Sequence, residues 1–462
     1  MPIGKQTISV TETKPSVEAM AFHAGMHNAW RFAGFNALSF QIVLGSPMVL
    51  YAKSLHANAT VLGLIAGMMP LMVIFQIPAA QYINRIGYKR FVLAGWGTRT
   101  IFTFGMVLVP FATPFLDSTT RLVLLLALLF GFNLVRGISS CAWLPWITHL
   151  IPENYRGKYV SGDTAMANLG SFLTIIVSAV CLGGQSHPWQ FAVIFAFSAL
   201  MGVASLSFLN RVPDVPISEA IRSSSQPVPW LEILRHRPFQ KLLRFVMVWA
   251  LAYGGFSTFT VAFLKTETSM TGATVLFVTS VAFLGGLSSL WLLGHRLDHV
   301  GSKPILSLSL CCWLVILGAW VSLAGGVLTP KLPLFLALQF FMGLFSALVG
   351  MANSRLAMAI IPVMGRNHFF VLYSVFASVT LGLAPIFWGL IIDFIGNRQG
   401  AFLGLNWNHY SIFFALVLMV FIFALVLALK LHEPKAASLE ALLADIMIES
   451  PQRLWLRLWP RD

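Results

Sequence analysis

Twelve apolar runs, each about 20 residues long or longer, dominate this chain of 462 residues. A run of that length crosses the roughly 30 Å hydrocarbon core of a bilayer as a helix. In lipid the backbone must satisfy its own polar groups, which leaves helices and closed barrels as spanning forms. The runs lie near 29–52, 60–83, 91–112, 121–149, 159–184 and 189–210, then near 240–264, 270–293, 304–327, 332–360, 367–395 and 408–431. Several exceed 25 residues, which predicts tilt or overhang. Charged residues make up 10% of the chain and hydrophobic ones 57%, whereas a soluble domain carries about 25% charged residues. So little charge leaves most of the surface facing lipid.

The runs form two sets that repeat each other. Ala59-Thr60-Val61-Leu62 recurs as Ala273-Thr274-Val275-Leu276, 214 positions on (273 − 59). Arg31 and Arg244 open equivalent runs, Lys53 and Lys265 close them, and Pro152 and Arg156 are echoed by Pro362 and Arg366. A duplicated apolar chain predicts two similar bundles with a site at their interface. The expected organisation is an N-terminal tail over 1–28, a six-helix bundle over 29–210, a linker over 211–239, a second six-helix bundle over 240–432 and a C-terminal tail over 433–462. An even number of spans per half gives both halves the same orientation. The fold class is an all-α membrane protein of twelve transmembrane helices in two parallel-related six-helix bundles.

The net charge of +14 would suggest nucleic acid in a soluble protein. Here Lys and Arg gather in alternate loops, as they do in cytoplasmic loops facing anionic lipid, so no nucleic-acid partner is expected. The loops after helices 2, 4, 6, 8 and 10 hold Arg85, Lys89, Arg90, Arg156, Lys158, Arg211, Arg222, Arg235, Arg237, Arg296, Lys303 and Arg366. The other loops hold Lys53, Arg121, Lys265, Lys331 and Arg398. Both termini are therefore expected in the cytoplasm, with the chain in the cell (inner) membrane. Residues 1 to 24 lack the apolar stretch of a cleavable signal. Cys141, Cys181, Cys311 and Cys312 fall inside apolar runs without metal-ligand spacing and read as packing residues. In the C-terminal tail, Arg453 to Trp459 mixes Trp, Leu and Arg in a way suited to the headgroup zone.

Two short basic loops sit at matching places after the second span of each half. The second contains Gly294, Asp298, Gly301 and Lys303; the first contains Ala80, Asn84, Arg85, Gly87, Lys89 and Arg90. The pattern Gly-x-x-x-Asp-x-x-Gly followed by basic residues resembles a signature of the major facilitator superfamily. In the first copy Ala80 replaces the first Gly and Asn84 the Asp. Ile151 to Tyr159 also resembles that family's loop between helices 4 and 5. The resemblance covers about residues 28 to 432. It implies alternating access, with these loops latching the bundles on the cytoplasmic side. Physically, the glycines permit tight turns, and a carboxylate at a poorly hydrated edge pairs strongly with arginine. Asp298 has Arg296 and Arg366 as partners in reach. Asn84 cannot carry charge, so either Asp163 replaces it as the partner of Arg85 or Arg156, or Asp163 is a helix-start carboxylate favoured by the dipole.

Ionisable groups within spans are functional candidates because desolvating them is costly. Arg136 lies 15 residues into helix 4, about 22 Å along it at 1.5 Å per residue. That is too deep for snorkelling, and the resemblance implies that helix 4 lines the central cavity. Arg99, on helix 3, is expected to be structural. No acidic residue falls mid-span in helices 1, 4, 7 or 10; Asp163 and Asp393 lie near span ends. A central cation without a central anion points to an anionic or electron-rich solute. Asn36 and Gln41 on helix 1, Asn133 on helix 4, Tyr253 on helix 7, and Gln339 and Asn353 on helix 10 are the polar candidates beside Arg136. Gly45-Ser46-Pro47 and Pro385 are expected to bend helices 1 and 11.

No phosphate-cradling loop, nucleophile triad or zinc motif occurs, so neither ATP hydrolysis nor catalysis is expected, nor any cofactor or metal. The expected function is secondary transport of a small organic solute by a monomer whose partners are that solute and membrane lipids. The alternative is a non-transporting relative acting in pigment assembly or lipid handling.

Overall fold

The computed structural model describes residues 17–151, 156–184, 186–215, 234–293, 301–360, 366–402 and 404–431. Within them twelve helices are long and apolar enough to cross a membrane. In the first half they are α1 (Gly25–Ser54), α2 (Ala59–Ile83), α3 (Tyr88–Phe111), α4 (Ser118–Ile147), α5 (Tyr159–Leu182) and α6 (Pro188–Asn210). In the second half they are α7 (Arg237–Glu267), α8 (Gly272–Ser289), α9 (Ser302–Ala324), α10 (Leu332–Ile360), α11 (Phe369–Ile395) and α12 (His409–Leu429).

Local chemistry sets the boundaries. The Asn58 side chain accepts the Val61 N–H at 2.9 Å and starts α2. Asp117 accepts from Thr119 and Thr120 and starts α4, and Asn408 does the same for α12 through Tyr410 and Ser411. Each side chain satisfies N–H groups that a helix start leaves unpaired. The turn between α2 and α3 is made by Gly87 at φ +90°, and the equivalent turn before α9 by Gly301 at φ +92°. Both glycines were marked by the repeated basic loops, and both occupy backbone space that side chains disfavour.

Three features depart from the expected organisation. The first helix begins at Val17, inside the segment expected as a tail; Val17-Glu18-Ala19-Met20-Ala21 favours a helix without being apolar enough to read as a span. Between α11 and α12 a short antiparallel hairpin pairs Gly400–Phe402 with Leu405–Trp407. It docks on the end of α9 through Asn406 N–H to the Gly325 carbonyl at 2.9 Å. Finally, α7 is interrupted between Tyr253 and Phe256. Most of the linker, the tail beyond residue 431, and the loop carrying Gly294 and Asp298 lie outside the described residues, as do the side chains of Asn84, Arg156 and Arg366.

Packing follows the duplication. In the first half α1 packs on α5 and α6, α3 on α4 and α6, and α2 on α4. In the second half α7 packs on α11 and α12, α9 on α10 and α12, and α8 on α10. Adding six to each label turns the first set into the second. Between the halves the heaviest contacts are α2 with α11 and α5 with α8. The same shift exchanges these two pairs, as a pseudo-twofold axis between equivalent bundles requires. The outward faces are apolar: Val180 and Val315 are 78% and 76% exposed, which suits lipid rather than water.

Candidate functional site

The two bundles meet closely at the end that carries residues 55–58 and 396–408, called here the outer end; the opposite end carries Gly87, Gly301 and the linker. Glycines set the spacing. A Cβ on Gly63 would overlap the Pro385 carbonyl, one on Gly67 the Gly382 carbonyl, and one on Gly389 the Ala59 backbone at 2.5–2.8 Å. α2 and α11 therefore touch backbone to backbone, as small residues allow in membranes. At the tip of this contact Asp393 of α11 caps α2. Its carboxylate accepts the Ala59 N–H at 3.0 Å, the Thr60 N–H at 2.8 Å and the Thr60 hydroxyl at 2.6 Å. A carboxylate of one bundle thus satisfies the helix start of the other, with the favourable sign for the helix dipole. Lys53 lies within electrostatic reach of both Asp393 and Glu267.

Beneath this contact, between the bundles, lies a cavity of about 560 Å³. Two interrupted helices border it. α1 stops at Leu44 and restarts at Ser46, with Gly45 between the segments and Pro47 in the first turn of the second. This is the bend expected from Gly45-Ser46-Pro47. α7 stops at Tyr253 and restarts at Phe256, with Gly255 at φ +78°. A Cβ on Gly255 would meet Pro385 at 2.7–2.8 Å, so this joint forms where α7 crosses α11. α11 itself runs unbroken through Pro385.

Gln41, Tyr253 and Gln339, all expected at the site, line the cavity. So do Ser46, Asn168, Thr279 and Ser346, beside Met69, Phe256, Phe283 and Met342. The Tyr253 ring stacks on Trp249 at 5.2 Å between centroids and 11° between planes. Among the described residues, no Asp, Glu, Lys, Arg or His lines it. The sequence does not single out Asn168: α5 is not among the helices expected to carry the polar candidates, and one Asn in an apolar run gives no signal of direction.

Arg136, Asn36, Asn133 and Asn353 are not on the cavity wall. Asn133 turns its amide back to the Leu129 carbonyl at 2.9 Å. Asn353 reaches Tyr373 on α11. Asn36 accepts from Arg99 Nη2 at 2.6 Å. Arg99 is 2% exposed, lies 5.5 Å from the Trp96 ring centre and 5.3 Å from that of Phe132, and its Nη1 has no hydrogen-bond partner. Arg136 is partly exposed, and no carboxylate among the described residues pairs with it. At the linker end Arg85 and Arg90 are exposed. Asp163 accepts from the Tyr159 hydroxyl at 3.3 Å.

The profile of the Major Facilitator Superfamily matches residues 32–311 and 251–459. The chain belongs to that superfamily. Among solved structures with this major facilitator fold, a variant of the nucleoside transporter NupG aligns at TM-score 0.67 and 10% identity, covering 88% of this chain and all (100%) of its own. A D-xylose-proton symporter aligns at 0.66 and 13% identity, covering 91% and 98%. The inward-open xylose transporter XylE from E. coli aligns at 0.63 and 16% identity, covering 92% and 99%. No curated protein sequence matches the chain. At these identities the structural likeness concerns the fold.

Proposed function

We propose that the chain is a secondary transporter that carries a small organic solute across the cell (inner) membrane by alternating access. The observation that carries this reading is the cavity between pseudo-twofold bundles, walled by two interrupted helices and closed at one end by backbone contact and Asp393. Transporters with such interrupted helices bind solute where freed backbone groups and few side chains converge. Lys/Arg asymmetry puts the linker and both termini in the cytoplasm, so the state described is closed outward. Its solved relatives include an inward-open transporter, which fits this orientation. In the opposite state the linker-end loops of Asn84, Arg85, Gly87, Arg90 and Arg156, and of Gly294, Asp298, Gly301, Lys303 and Arg366, take over as the latch.

The solute is an organic anion with an uncharged body. Among the described residues the cavity offers amides, hydroxyls and apolar walls but no charge, while Arg136, off the wall in the first bundle, has no carboxylate partner among them. A neutral body held by Gln41, Asn168 and Gln339, with an acidic group directed at Arg136, satisfies both. The test is uptake by proteoliposomes of an aromatic anion series and its neutral counterparts. Wild type is expected to accumulate anions. Gln339→Ala raises KM several-fold by removing one cavity hydrogen bond of about 1 kcal/mol, and Arg136→Gln abolishes the preference for anions. Equal uptake by wild type and Arg136→Gln at all concentrations would remove the anionic reading.

A further inference from the structure

Arg99 and Arg136 lie on facing helices within electrostatic reach of each other. α3 and α4 run antiparallel in a tight register: a Cβ on Gly95 would overlap Ser139, one on Gly131 would overlap Phe102, and one on Gly105 would meet Leu128 at 2.9 Å. Those pairs place Arg99 opposite residues 134–135, less than a turn from Arg136. The Phe132 ring under the Arg99 guanidinium lies one turn before Arg136 on the same helix. Arg136 is close enough to act on Arg99 electrostatically. Arg99 gives one amine to Asn36, keeps Nη1 without a partner, and is 2% exposed. No carboxylate among the described residues pairs with either guanidinium.

Two neighbouring cations inside one bundle without an anion are costly, because burial and mutual repulsion act in the same direction. Arginine does not relieve this by losing its proton. Stacking on Trp96 and Phe132 offsets part of the cost for Arg99 and does nothing for the repulsion. A bound counter-anion would offset both. One carboxylate answers one fork; a doubly charged tetrahedral oxyanion presents enough oxygens for two.

We infer that Arg99 and Arg136 form a two-guanidinium site for the divalent oxyanion group, such as a phosphate monoester, of the transported solute. This rests on the anionic-solute reading above and narrows it. In the state described, the Asn36 amide oxygen holds Arg99 Nη2 in place of a ligand oxygen. Entry of the oxyanion displaces Asn36 and so reaches α1, whose break at Gly45 lies on the cavity wall.

The test is calorimetric titration of the full-length protein, in nanodiscs of zwitterionic lipid, with phenyl phosphate, benzoate and phenol. These probes share one body and differ in head charge. Phenyl phosphate is expected to bind about tenfold tighter than benzoate, as one added charge-assisted contact would give. Its affinity should rise with pH through its second ionisation. Arg99→Lys and Arg136→Lys keep the charge and lose the fork; each should weaken phenyl phosphate by about tenfold and leave phenol unchanged. Should Arg99→Lys fail to fold, Arg136→Lys and the pH series still decide. Benzoate binding as well as phenyl phosphate, with no pH dependence, overturns the two-arginine site while leaving an anionic solute intact. Phenol binding as well as both overturns the anionic reading too. Repeating the titration with phosphatidic acid in the disc assigns the oxyanion: unchanged affinity marks a soluble solute, competition a lipid headgroup, and both support the site.

Discussion

Asp393 ties the two bundles together with a single side chain. Its carboxylate makes three hydrogen bonds across the bundle interface, all to the first residues of α2. Hydrogen bonds to charged groups contribute about 1.5–3 kcal/mol each to a buried contact and less at an exposed edge. Asp393→Ala is therefore expected to shift the outward-closed state by roughly 2 kcal/mol, about a thirtyfold change in population. Alkylation of a cysteine placed at Ser46 on the cavity wall, from the outer side of intact vesicles, measures that shift. An alkylation rate equal to that of the Asp393-containing parent would show that Asp393 is not part of the latch. The sequence marks Asp393 only as an ionisable residue near a span end, because its partners lie more than 330 positions away. Arg136 illustrates the opposite case. Its depth is legible from position alone, but the side that it faces depends on how α3 and α4 register, which follows from glycines whose partners no sequence pattern reveals.

At the scale of elements, the twelve spans are legible because hydropathy and length act locally. The break in α1 is legible too, since Pro47 removes a backbone donor just after Gly45. The break in α7 carries no proline. It arises because Gly254 and Gly255 accommodate Ala384 and Pro385 of a helix distant in sequence. The hairpin formed by Gly400–Phe402 and Leu405–Trp407 is not legible for a similar reason: its strands are three residues each and hold through docking on α9. Glycine crossings of two kinds make separable predictions. Gly63 faces Pro385 across the two bundles, whereas Gly343 faces Ala282 within the second bundle. In each case a methyl group would overlap backbone, an overpacking that costs about 1–3 kcal/mol. Gly343→Ala is expected to lower the melting temperature of the purified protein by several degrees. Gly63→Ala is expected to leave it nearly unchanged while opening the outer end, because separation of the bundles relieves the overlap. Equal loss of melting temperature in both variants would contradict a separable interface.

For the whole molecule, the pseudo-twofold relation follows from an internal repeat that survives as a four-residue match, paired basic loops and equivalent arginines. That repeat is legible because its matching residues recur at equivalent places along the chain. The cavity is not legible in the same way, since its wall is assembled from helices of both bundles and its polar groups face it only by virtue of bundle orientation. The central claim is that the bundles move as units about that cavity, one end closing as the other opens. It is tested most directly by double electron–electron resonance on spin labels at Ser54 and Arg398 for the outer end and at Arg90 and Lys241 for the linker end, comparing the parent with Asp393→Ala. The account predicts that the variant lengthens the outer distance and shortens the linker-end distance together. Two distances that stay fixed, or that change in the same direction, would contradict it.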